Sequence, residues 1–60
     1  MAIALEIRER HRQLLGALLR IKIANENKVE GLDDEIKAIV SIMEQEDVAW
    51  VEKIYGVNAL

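Results

Sequence analysis

A polar stretch at residues 25–34 separates two longer segments that both carry apolar residues at helical spacing. The apolar rows of both segments stop there, and Gly31 is the residue type that most easily takes the left-handed conformation at a helix end. Asp33 follows and suits the N-cap of a new helix. No other segment has the character of a bend. The sequence therefore predicts an all-α fold, a two-helix antiparallel hairpin.

The first helix is predicted over about residues 3–28, the turn over 29–32 and the second helix over 33–55. The seam of the first helix recurs at alternating spacings of three and four: Ala4, Ile7, His11, Leu14, Leu18, Ile21 and Asn25. The inward row of the second helix is Ile36, Val40, Met43, Trp50 and Ile54. Gly56 fits the residue after its end. Residues 56–60 are predicted to be a short tail, of which 58–60 are loose.

A chain of 60 residues without Cys has little core and no disulfide to support it. The first helix also carries a second apolar row, Leu15, Leu19 and Ile23, turned away from the seam. One partner helix cannot cover it, so a second hairpin or a larger binding partner is required. These observations predict a homo-oligomer, with a dimer favoured, in which two hairpins form a four-helix bundle through Leu15, Leu19 and Ile23. Gly16 either allows close approach of another helix there or is simply tolerated.

The charge is divided unevenly between the two halves of the chain. Residues 1–30 hold six Lys and Arg against four Asp and Glu, or +2, whereas residues 31–60 hold two against seven, or −5. Opposite signs favour side-by-side packing of the two halves. The charged fraction of 32% argues against a membrane span. Glu6 comes too early for the apolar core of a secretory signal, so a cytoplasmic protein is expected.

Asp47 lies in the apolar row of the second helix and requires a partner if it is buried. In a hairpin bent near residue 30, His11 falls opposite the region that begins at Asp47. We predict a polar core layer of His11 and Asp47, with Trp50 packed beside it. Such a layer fixes register and partner number, while a working site remains the alternative.

Catalytic, metal and cofactor sites have little support in this sequence. His11 and Asp47 lack a nearby Ser, Cys or Thr nucleophile, and Ser41 is more than one helical turn from Asp47. The Glu-x-x-His pairs of di-iron bundles are absent. We therefore expect no enzyme activity, no bound metal and no cofactor.

Arg8, Arg10 and Arg12 form the one basic concentration, and they are candidate phosphate contacts. In length and plan the chain resembles the plasmid repressor-of-primer family, whose two-helix subunits pair into a bundle that binds RNA. The resemblance is one of architecture and implies a nucleic-acid-binding hairpin dimer without assigning residues.

The leading functional hypothesis is a small non-enzymatic interaction or regulatory protein that docks on another protein through its helices, as a homo-oligomer. RNA or DNA binding through the basic patch is the first alternative. An acidic inhibitor that imitates nucleic acid is the second, using Glu44, Glu46, Glu52 and the acidic residues at 33–35.

Overall fold

A computed structural model describes residues 4–60, and within them three α-helices: α1 over Leu5–Ala24, α2 over Leu32–Ile42 and α3 over Gln45–Tyr55. Helix accounts for 74% of this part of the chain, which contains no strand. The all-α prediction is therefore confirmed. The predicted start of the first helix, at residue 3, lies outside the described residues. No helix between residues 4 and 60 combines the length and the apolar character needed to cross a membrane.

The first helix ends at Ala24, earlier than predicted, because the next residues turn the backbone. Glu26 and Asn27 have left-handed φ angles of 54° and 61°, which no α-helix continues through. The Asn25 side chain donates a hydrogen bond of 2.9 Å to the carbonyl of Ile21 and closes the last turn. Gly31 is left-handed as expected, with φ 81°, but it directly precedes α2, so Asp33 lies in the first turn and is not the cap.

The predicted second helix is in fact two helices, divided at Met43 and Glu44. Both residues are extended, with φ and ψ of −91° and 154° at Met43 and −67° and 140° at Glu44. The amides of Asp47 and Val48 then donate to the carbonyl of Glu44 and begin α3. The two-helix prediction is wrong at this point, and the subunit departs from the two-helix plan of the repressor-of-primer family.

The break reverses the chain, so α2 and α3 run in opposite directions along α1. Near the end of α1, Lys22 lies 3.9 Å from Asp33 at the start of α2, which makes this pair of helices antiparallel. Arg8 contacts Asp47 at the start of α3, and Gly16 faces Tyr55 at its end. Helix α3 is therefore parallel to α1, where the sequence had predicted an antiparallel neighbour.

The core lies around α1, because both shorter helices pack on it. Its buried apolar residues come from all three helices and from the tail: Leu15, Leu19, Leu32, Ile36, Ile39, Val51 and Ala59. The predicted loose tail is wrong, since Ala59 is only 1% exposed and its amide donates to the Glu52 carboxylate at 2.6 Å. Gly56 ends α3 with a left-handed φ of 69°, as the sequence predicted.

Candidate functional site

Asp47 is the one buried charged residue among residues 4–60, and its partner is Arg8. The Arg8 Nε and Nη2 atoms donate to the two carboxylate oxygens at 2.8 and 2.9 Å. This two-bond geometry is the strongest form of the Arg–carboxylate pair. The hydrogen bonds hold the pKa of Asp47 below its ordinary value, although burial of the carboxylate acts the other way. The same bonds raise the pKa of Arg8.

The predicted pair of His11 and Asp47 is wrong. His11 is half-buried beside the Arg8–Asp47 pair, and its Nδ1 atom has no hydrogen-bond partner among residues 4–60. The prediction assumed an antiparallel neighbour, whereas the parallel α3 sets Asp47 at the level of Arg8 and Arg12. Because Arg8 occupies both carboxylate oxygens, Asp47 does not orient the imidazole of His11 as it would in an acid–base pair.

Arg12 lies between the buried Asp47 carboxylate and the exposed Trp50 ring. Its Nε lies 3.7 Å from an Asp47 oxygen, within ion-pair range but too far for a hydrogen bond. Its guanidinium carbon is 5.0 Å from the centre of the Trp50 ring, which is a cation–π distance. Trp50 itself is 52% exposed, so the prediction that it packs inside a core layer is also wrong. Arg10 is exposed on the outside of α1.

The predicted interface residues of α1 have different positions from those expected. Leu15 and Leu19 are fully buried within the chain, because α2 and α3 together cover the side of α1 that one partner helix would leave open. A Cβ atom added at Gly16 would lie 3.0 Å from the Tyr55 hydroxyl, so Gly16 does allow close approach, but to α3. The assignment of Leu15, Leu19 and Gly16 to an intermolecular interface is therefore wrong. Ile23 alone is exposed, at 47%.

An open cleft of about 400 Å³ lies between α1 and α3. Its α1 wall is polar and consists of Glu9, Arg12 and Gln13. Its α3 wall and floor are largely apolar: Trp50, Val51, Ile54 and Tyr55. Trp50 and Ile54 are more than half exposed along its edge. We call this feature the tryptophan cleft.

On its α2 side, α1 carries a line of exposed apolar residues at intervals of seven. Ile7, Leu14 and Ile21 are 48%, 51% and 43% exposed. Beside them a groove between α1 and α2 is lined by Leu14, Leu18, Glu35, Ala38, Ile39 and Ile42. We call Ile7, Leu14, Ile21, Ala38 and Ile42 the seam face. The sequence shows the seven-residue spacing, but our prediction assigned these residues to packing inside the hairpin and missed Ala38 and Ile42.

Within residues 4–60, no three His, Cys, Asp or Glu side chains come together in a group that would hold a metal ion. No family model matches the sequence, and no curated protein or solved structure shows significant similarity to it. The two exposed apolar surfaces therefore have to be interpreted from their own chemistry.

Proposed function

We propose that this protein is a small, non-enzymatic interaction protein that docks on another protein through helix-mediated contacts and acts as a homo-oligomer in the cytoplasm. The observation that carries the proposal is the tryptophan cleft, where a half-exposed Trp50 is held against the Arg12 guanidinium. Trp and Arg are the residue types that most often dominate the binding energy of protein interfaces.

The cleft is partly organised before any partner binds. Stacking on Trp50 and attraction to Asp47 both restrict Arg12, so less side-chain entropy is lost when a partner binds. The apolar wall of Trp50 and Ile54 faces a polar wall of Glu9, Arg12 and Gln13. An amphipathic helix of the partner protein matches this arrangement, with its apolar side on α3 and its polar side on α1.

The competing functions have less support from the same contacts. A nucleic-acid site would need the arginines of α1 free for phosphates, yet Arg8 donates to Asp47 and Arg12 turns toward Asp47 and Trp50. An acid–base site would need a carboxylate that orients His11, and Asp47 accepts from Arg8 instead.

The proposed location in the cytoplasm is supported by the absence of Cys from the sequence, which suits a reducing compartment.

Site-specific photo-cross-linking in the native cell tests the docking proposal. A photoreactive residue in place of Gln13, inside the cleft, is expected to capture one protein partner, whereas the same residue in place of Ser41, exposed on α2, is not. Trp50→Ala should abolish the Gln13 adduct. The matched control is Ile23→Ala, which removes a similarly exposed apolar side chain outside the cleft and should leave the adduct unchanged.

The partner identified in this way is then purified and titrated into the protein while Trp50 fluorescence is recorded. Burial of the indole should shift its emission to shorter wavelength, and Trp50→Ala should raise the Kd at least about tenfold in a label-free assay. Equal capture from positions 13 and 41, or a Kd that Trp50→Ala leaves unchanged, would contradict docking in this cleft.

A further inference from the structure

The seam face is the second exposed apolar surface of the molecule, and it does not overlap the tryptophan cleft. Residues seven apart on an α-helix drift by only about 20°, so Ile7, Leu14 and Ile21 form one nearly straight line along α1. Ala38 and Ile42 of α2 widen this line into a two-helix surface with Leu18 and Ile39 at its base. An exposed apolar surface of this extent is typical of an interaction site.

We infer that a second copy of this chain covers the seam face, with the two α1 helices antiparallel and Leu14 on the two-fold axis. This inference rests on the self-association included in the proposed function and gives it a location. Two copies would then contribute α1 and α2 to a four-helix arrangement, and both α3 helices would lie outside it. The tryptophan clefts stay open in such a dimer.

The symmetry of the line supports this occupant. Ile7 and Ile21 lie seven residues on either side of Leu14, so a two-fold rotation sets Ile7 opposite Ile21 of the partner subunit and Leu14 opposite Leu14 of the partner subunit. A two-fold interface requires this kind of self-complementary surface. Arg10, four residues before Leu14, is then eight residue rises, or about 12 Å, from its symmetry mate, so like charges are not brought together.

The size of the face also fits a dimer. The 20 residues of α1 span about 30 Å and the 11 residues of α2 about 16 Å, and each helix contributes about 10 Å of width. The footprint is roughly 450 Å² on each copy, or about 900 Å² in total, which is the size of a weak, reversible protein interface. Ala17 and Ala24, along the outer flank of the line, leave room for a second backbone to approach.

Charge reversal at the two-fold axis tests both the face and the register. In sedimentation equilibrium the unmodified protein should be a dimer at roughly 100 μM. Leu14→Glu and Leu14→Lys should each weaken the dimer by about 100-fold or more, because each sets like charges opposite one another. An equimolar mixture of the two variants should dimerise again, since Glu then faces Lys. Leu14 is half-exposed, so both variants should keep their helical circular dichroism spectrum.

Ile23→Glu, which adds the same charge at a comparably exposed Ile on another side of α1, should remain dimeric. A monomeric unmodified protein would overturn the inference together with the self-association in the proposed function, while docking in the tryptophan cleft would still stand on its cross-linking result. A dimer insensitive to both Leu14 variants would overturn the seam face alone. Two monomeric variants that fail to dimerise when mixed would overturn the antiparallel register about Leu14.

Discussion

Among the single residues, Asp47 could be predicted to need a partner if buried, but the identity of that partner could not be predicted. A carboxylate in an apolar row had to find a partner if buried, and Asp47 is buried and paired. Its partner could not be predicted, because both His11 and Arg8 lie near enough along α1 and the choice depends on the direction of α3. Arg8 also offers two donors in the fork geometry that a carboxylate accepts.

The pairing predicts how stability depends on pH. Because Arg8 lowers the pKa of folded Asp47, the contribution of Asp47 is fully present above its unfolded pKa of about 3.9 and is lost as the pH falls through the lower folded value. The difference in unfolding free energy between the unmodified protein and Asp47→Asn should therefore be constant near neutral pH and shrink below about pH 4. Urea unfolding at a series of pH values measures this difference.

Glu30→Gln is the control, because it removes an exposed carboxylate in the turn before α2, away from the Arg8–Asp47 pair. Its difference from the unmodified protein should change little over the same range. If the Asp47→Asn difference stays constant down to pH 2, the Arg8 pair does not hold the carboxylate ionised in the folded state.

Among the helices, the break at Met43 and Glu44 is the feature that could not be predicted from the sequence. Neither residue is Gly or Pro, and the apolar row resumes in the same helical phase at Trp50, so local propensity favours a continuous helix. Tertiary packing prevails over that propensity, because the reversal lets Asp47 and Val51 face α1 together with Leu15 and Leu19. Gly31 and Gly56 could be predicted because their left-handed conformations are a local property.

The break can be tested through the residue that precedes α3. Glu44 occupies the N-cap position but makes no side-chain capping hydrogen bond. Glu44→Asp keeps the charge and supplies a better cap, so it should stabilise the protein by about 1 kcal/mol. In a continuous helix the same change would destabilise by a few tenths of a kcal/mol, since Asp is a poorer helix former than Glu. Denaturant unfolding distinguishes the two signs, and Glu46→Asp, the same change inside α3, is the control.

At the scale of the whole molecule, the fold class followed from composition and period, whereas the assignment of α1 residues to inside or outside did not. Leu15 and Leu19 were expected to face another chain because two helices cannot enclose them. Once α3 turns back along α1, the chain encloses them itself and leaves Ile7, Leu14 and Ile21 partly uncovered. Because the turn at Met43 was not predicted, Leu15 and Leu19 were assigned to the interface but are in the core, and part of the predicted core is exposed.

Single truncations in this small core should have large effects. At about 0.05–0.15 kcal/mol per residue, 60 residues give roughly 3–9 kcal/mol of total stability. Leu19→Ala should cost about 2–5 kcal/mol and leave much of the protein unfolded at 37 °C. Ile23→Ala, on the same helix but half-exposed, should cost less than about 1 kcal/mol. Thermal unfolding followed by circular dichroism tests the contrast, and equal losses at the two positions would contradict the core described above.

The reversal at Met43 also sets an order of events during folding. The contact of Lys22 with Asp33 closes a loop of eleven residues, whereas that of Arg8 with Asp47 spans 39. The longer closure costs about 1 kcal/mol more in chain entropy, so α1 and α2 should meet first and α3 should dock on them last. Trp50 lies on that last helix. A partner that binds the tryptophan cleft would therefore stabilise the part of the molecule that assembles last. Binding should lower the rate at which α3 detaches from α1.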